Sequence, residues 1–167
     1  MSAFAEALDA LAAASGGAVR RLEDLRGEHA FSAQPEAGRD FLARLKDHPE
    51  LRCDFLAVLT AVDNHLAEPR FEVVYIVRSL SANVDVRVNV PLPGEAPELA
   101  TVTDLWPAAD WMEREVYDMF GVRFAGHPNL TRILMWEGFE GHPLRKDYPL
   151  LGNSPGTPGH LGKGGKR

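Results

Sequence analysis

Phe71-Glu72-Val73-Val74-Tyr75-Ile76-Val77-Arg78-Ser79-Leu80, then Ser81-Ala82-Asn83, then Val84-Asp85-Val86-Arg87-Val88-Asn89-Val90 is the stretch that decides how this chain folds. Its first run has the density of β-branched and aromatic residues expected of a central strand. The second alternates without a break, so Val84, Val86, Val88 and Val90 share one face while Asn83, Asp85, Arg87 and Asn89 share the other. Ser81-Ala82-Asn83 reads as the turn between them. The pattern predicts an antiparallel hairpin whose valine face meets a core, because a one-residue slip would turn every valine to water.

Upstream, the pattern changes to the helical period. Ser2 can cap a helix to about Ala14 with Phe4, Ala7, Leu8 and Leu11 on one face, and Gly16-Gly17 ends it. Pro35 can open a second helix through Asp47, with Phe41, Leu42 and Leu45 as its stripe and His48-Pro49 as its stop. Val19 to Ala30 is ambiguous, and Cys53 to Val62 reads as a short buried strand, with a helical turn as the alternative. Downstream, Pro91 to Pro97 is a surface loop and Leu99 to Leu105 a further β candidate. Pro107 is placed to start a helix with Ala108, Met112, Val116 and Met119 or Phe120 at helical spacing, stopped by Gly121. The fold class expected is α+β: helices on a small mixed β-sheet over residues 1–123, an extended segment over 124–151, and a flexible, basic Gly/Pro-rich tail over 152–167.

Composition narrows the function. A chain of 167 residues suits one domain that buries roughly 70% of its unfolded surface. The single Cys53 excludes an internal disulfide and a self-contained iron–sulfur cluster, which takes four thiolates. Any electron carriers therefore belong to other chains. Net charge is −6, and the tail alone carries Lys163, Lys166 and Arg167 without an acid, so the body is more acidic still. That balance argues against nucleic acid as a partner. Met1 to Ser15 lacks a basic start and includes Glu6 and Asp9, which does not read as a secretory signal. The longest apolar run, Phe55 to Val62, falls far short of the ~20 residues of a membrane span.

Residues 113–150 carry the polar constellation. Glu113, Arg114, Tyr117 and Asp118 crowd one side of the predicted helix, with Glu113 to Tyr117 and Arg114 to Asp118 four residues apart. Gly126-His127-Pro128 and Gly141-His142-Pro143 each set an imidazole between a residue free to take positive φ and one locked near −65°. The default for both histidines is a hydrogen bond to backbone or carboxylate; a zinc site with Asp118 or Asp147, as in a free-standing metal-dependent hydrolase, is the rival. Ser154 and Cys53 lack an oriented base, and the glycines match no phosphate-binding spacing. Arg145-Lys146-Asp147 suits structural or interface salt links.

Trp111-Met112-Glu113-Arg114-Glu115-Val116-Tyr117-Asp118-Met119-Phe120-Gly121-Val122, then Phe124, Gly126-His127-Pro128, Leu130, Arg132-Ile133-Leu134, and Gly138-Phe139-Glu140-Gly141-His142-Pro143-Leu144-Arg145-Lys146-Asp147-Tyr148-Pro149-Leu150 resemble the signature of the C-type, thirty-kilodalton subunit of proton-pumping NADH:quinone oxidoreductase, respiratory complex I. The likeness extends upstream through Ala61-Val62-Asp63, Arg70-Phe71-Glu72-Val73-Val74-Tyr75 and Asp104-Leu105-Trp106-Pro107. Two departures stand out: Thr131 replaces a basic residue found in many relatives, and Gly152 to Arg167 replaces their acidic, aromatic tail. The resemblance implies a noncatalytic assembly subunit of the peripheral arm on the cytoplasmic side of the inner membrane. It implies no cofactor in this chain; FMN, iron–sulfur clusters and quinone are expected in partner subunits. The D-type subunit is the implied main partner, with the B- and I-type subunits nearby. A related membrane-bound hydrogenase or quinone-reducing complex is the close alternative. The residues expected at the subunit interface are Glu113, Arg114, Glu115, Asp118, His127, Arg132, His142, Arg145, Lys146 and Asp147.

Overall fold

A computed structural model describes residues 3–23 and 28–149. Helix α1 (Ala3–Ala13) is followed by Gly16 and Gly17, both at positive φ, which turn the chain into β1 (Val19–Arg21). β2 (His29–Ala33) pairs antiparallel with β1. Helix α2 (Pro35–Asp47) starts with proline in its first turn, where no N–H is missed, and buries Phe41, Leu42 and Leu45. Strands β3 (Phe55–Asp63), β4 (Phe71–Ser79) and β5 (Val84–Leu92) follow. The five-stranded sheet runs β1-β2-β5-β4-β3, and the parallel contact of β2 with β5 makes it mixed.

The expected antiparallel hairpin forms, with Tyr75 opposite Val88 and Val77 opposite Val86. Val73, Tyr75, Val77, Val86, Val88, Val90 and Leu92 are buried on one face, where Leu56, Leu59 and Ala61 of β3 extend the layer. All three helices contribute to this one core. Phe41 of α2 meets Phe31 of β2 at 5.5 Å, and a Cβ on Gly38 would stand 3.1 Å from Val90, so the small residue lets α2 seat closely. The other face carries Val58, Ile76 and Arg87 in one row and Thr60, Val74 and Asn89 in the next, none of them buried.

Several local expectations are corrected. Val84, at the turn end of β5, is half-buried, and Leu92 extends the buried stripe past Pro91. The β candidate at 99–105 is only β6 (Glu98–Ala100), paired parallel with β7 (Arg123–Ala125) in a separate two-stranded sheet. Residues 103–105 form a turn. Helix α3 (Ala109–Phe120) begins after Pro107, with Ala108 exposed and Ala109 facing the core. The ambiguous stretch at 19–30 supplies β1 and the start of β2, whose pairing partner β5 lies far along the chain. Ser2 as a cap, Leu150, Leu151 and the tail at 152–167 lie outside the described residues.

Candidate functional site

Gly121 ends α3 in the left-handed conformation (φ 75°, ψ 21°), its N–H bonding Tyr117 O at 2.9 Å. The chain then returns through β7 to the beginning of the helix, and residues 126–149 run along α3 from its first turn to its last without regular secondary structure. His127 Nε2 lies 3.2 Å from Asp110 O; Arg114 donates to Thr131 O and Oγ1, both at 3.0 Å; and His142 Nδ1 lies 3.0 Å from Asp118 O. Asp110, Arg114 and Asp118, each four residues apart, thus form the stripe on which the segment lies.

Asp118 is the main clamp. Its side chain is 0% exposed, and Oδ2 accepts the backbone N–H groups of Ile133, Leu134 and Met135 at 3.1, 2.8 and 2.9 Å. Oδ1 takes Arg132 Nη1 at 2.7 Å. Burial alone would raise this carboxyl, but the three backbone donors and Arg132 outweigh it and hold it below the usual carboxylate range.

Asp63, at the end of β3, is the second clamp. Arg70 grips it bidentately at 2.9 and 2.8 Å, and the His65 and Lys146 N–H groups each donate to it at 2.8 Å. Arg70 also pairs with Asp147 at 2.9 Å. Chiefly the Arg70 bonds, against the cost of burial, hold the Asp63 carboxyl well below its ordinary range. Arg70 and Arg145 both stack on the buried Phe71 ring, at 4.9 and 5.2 Å from its centroid. Arg145 Nε donates to Phe120 O. A Cβ on Gly121 would lie 2.5 Å from Arg145 Nη2 and from His142 Nε2, so this glycine is needed for the close approach as well as for its φ.

Residues 31–154 match the family described as respiratory-chain NADH dehydrogenase, 30 Kd subunit. The chain belongs to that family. It is 49% identical over 145 residues, 87% of this chain and 79% of the relative, to the C-type subunit 2 of NADH-quinone oxidoreductase from Rhizobium meliloti (strain 1021). Among solved structures it resembles the trypsin-resistant fragment (1-134) of Nqo5, with TM-score 0.67 and 33% identity over 76% of this chain and 99% of the fragment. It also resembles a chain of an archaeal respiratory membrane complex, the membrane-bound sulfane sulfur reductase, with TM-score 0.70 and 25% identity over 88% of this chain and 86% of that one. As a member of the 30 Kd family, the chain is a component of a multi-subunit enzyme, in the peripheral arm of respiratory complex I.

The residues singled out from sequence divide into two groups. Asp118, Arg132, Asp147, Arg145, His142, His127, Arg114 and the fully buried Glu113 make bonds inside the chain, whereas the Glu115 carboxylate and the Lys146 ammonium are exposed. The two histidines sit at opposite ends of α3, their helix partners eight residues apart, about 12 Å along the axis. Among the described residues no three His, Cys, Asp or Glu side chains are grouped to hold a metal ion, so the hydrolase rival finds no centre there. Asp63 escapes the sequence reading as a clamp: Asp63 and Arg70 in the joined ends of two strands hint at a pair, but the contact with Lys146 is tertiary. No described helix is long and apolar enough to cross a membrane.

Pinned from inside, the segment turns apolar side chains outward. Leu134 is 55% exposed, Trp136 44% and Leu144 52%, with Trp111 of α3 at 64%. Phe139 beneath them is buried and packs edge-on against Trp136 at 4.8 Å, stacks on Tyr148 at 5.9 Å, and takes the Arg132 guanidinium at 5.7 Å.

Proposed function

We propose that this chain is a noncatalytic scaffold subunit of the peripheral arm of proton-pumping NADH:quinone oxidoreductase. It docks on the D-type, quinone-site subunit through its extended segment, with the B- and I-type subunits nearby, on the cytoplasmic side of the membrane. FMN, iron–sulfur clusters and quinone reside in partner subunits of the complex, and this chain supports electron transfer from NADH to quinone by helping to hold that complex together. The observation that carries the reading is the outward apolar set Leu134, Trp136 and Leu144 on a backbone locked from within by Asp118 and Asp63. A pre-ordered segment loses little entropy on binding, and a buried tryptophan anchor contributes about 2 kcal/mol or more.

The test is a Trp136→Glu, Leu144→Asp double variant in the intact complex. Both side chains are exposed in the free chain, so it should fold normally, while recovery of assembled peripheral arm drops about tenfold or more, roughly 1.4 kcal/mol or more. NADH:quinone turnover should fall in proportion to complex recovered. Normal assembly with reduced turnover per complex would reject the scaffold role, and normal values for both would move the docking face elsewhere. The likeness to the archaeal complex supports one second reading, the equivalent subunit of a related membrane complex. The chains that co-purify with the native protein decide between the two.

A further inference from the structure

Glu113 stands apart from Asp118 and Asp63 because no arginine or lysine among the described residues pairs with it. Its side chain is 0% exposed; Oε1 accepts the Val102 N–H at 2.7 Å and Oε2 lies 2.6 Å from Thr101 Oγ1. The ionisable groups facing it are Asp110 from its own helix, Asp104 from the preceding turn, Tyr75 from β4 and His127 from the extended segment. His127 Nδ1 accepts the Asn129 N–H at 2.9 Å, so its proton sits on Nε2, pointing to Asp110 O and 4.0 Å from Glu113. Asp110 Oδ1 is itself buried without a hydrogen bond. Arg39 of α2, the cation that reaches this corner, is engaged by Asp104 and Thr101 O.

The two threonines serve either state of this carboxyl. Thr101 Oγ1 lies 3.0 Å from Thr103 Oγ1 and accepts the Thr103 N–H at 3.2 Å. With Glu113 ionised, Thr101 donates to the carboxylate and Thr103 donates to Thr101. With Glu113 protonated, the acid donates to Thr101, which rotates its hydroxyl toward Thr103. No bond is lost in either case, and half-buried Thr103 gives the proton a short route to water. Charge, not bonding, separates the states: the ionised form puts an uncompensated anion in the core beside Asp110.

We propose that Glu113 is a proton-binding switch at the root of the extended segment, seating residues 101–103 and the β6–β7 pair against α3 when protonated and loosening them when it ionises. The proposal does not depend on the docking partner. Burial, opposed by the Thr101 and Val102 bonds and aided by Asp110 and Asp104, moves this carboxyl up to about 7. Because the folded state holds the proton more tightly than the unfolded one, the seating weakens as pH rises from the ordinary glutamate range through the raised value.

The test uses the full chain. Carbon-13 NMR of its glutamate carboxyls should show Glu113 titrating near neutrality. Hydrogen-exchange protection of residues 98–103 and 123–125, corrected for intrinsic exchange, should fall on the order of tenfold between about pH 5.5 and 8.5. Glu113→Gln should hold the low-pH protection throughout that range. A carboxyl titrating below about pH 5, protection independent of pH in the wild type, or a Gln variant that keeps the wild-type slope would overturn the proposal. Should the variant not fold, the wild-type carboxyl titration decides by itself.

Discussion

The β-hairpin and the C-terminal segment are held by opposite means. Strands β4 and β5 bury an unbroken valine and aromatic face under three helices, and their polar residues face outward. Residues 126–149 have no regular ladder, and they are fixed by polar anchors that reach them from elsewhere: Asp118 from α3, Asp63 from β3 and backbone carbonyls at the end of α3. Apolar burial is nondirectional and shared among many residues, so it makes a body that stands or falls as one. Buried carboxylates are directional and few, so each holds one stretch of chain. The two regions should therefore respond separately to substitution.

The largest effect should come from Val86→Asp, which places an unpaired carboxylate in the fully buried layer at several kcal/mol. Thermal unfolding of the free chain should show the whole body lost, and an unchanged melting temperature would mean that the hairpin does not anchor the core. Asp118→Ala comes next. It strands three N–H groups and the Arg132 guanidinium, a cost of about 3–5 kcal/mol that falls on the segment. Limited trypsin digestion should then cut after Arg132, Arg145 or Lys146 while the hairpin stays protected; simultaneous loss of both regions would erase the contrast.

Gly121→Ala should have a smaller effect, about 2 kcal/mol, from the positive φ and the clash with Arg145 and His142. Its signature is displacement of residues 142–145, visible as shifted amide resonances there with the β4–β5 pairing unchanged. Acid supplies a graded version of the same release. Asp63 and Asp118 have folded values below the unfolded aspartate value of about 3.9, so their contribution is complete above it and is lost as pH falls through the lower folded values. Protease sensitivity of the segment should rise below about pH 4, before the hairpin unfolds. The smallest effect belongs to Arg78→Ala, which breaks a bidentate but solvent-screened pair with Asp85 and should leave the thermal unfolding midpoint of the free chain nearly unchanged.

The legibility of the sequence follows the same division. The hairpin, the stripe Phe41-Leu42-Leu45 and the glycine stop at 121 could be read because local periodicity and backbone chemistry dictate them. The strand at 19–21 and the parallel pairing of β2 with β5 could not, since three residues carry no period and a parallel partner lies far along the chain. The charged residues of 113–147 were legible as a set, partly through resemblance, but not in their directions. Glu113 and Asp118 are both covered from within the chain, Glu113 by Thr101 and Val102 ahead of the helix and Asp118 by the segment that follows it, and neither direction is written in the helix itself.

By itself, then, the sequence determined an α+β body with a valine-faced hairpin, a single cysteine where a self-contained cluster takes four, and membership of the 30 Kd subunit family. Those follow from side-chain period, from cysteine count and from an ordered string of motifs. Only the tertiary structure decided that Asp118 and Asp63 clamp the segment from within, that Leu134, Trp136 and Leu144 face outward, and that Glu113 lies in the core with no arginine or lysine among the described residues paired to it. The reason is physical: a carboxylate's role depends on which donors surround it, and the segment donors that meet these two clamps come from 14 to 83 residues away.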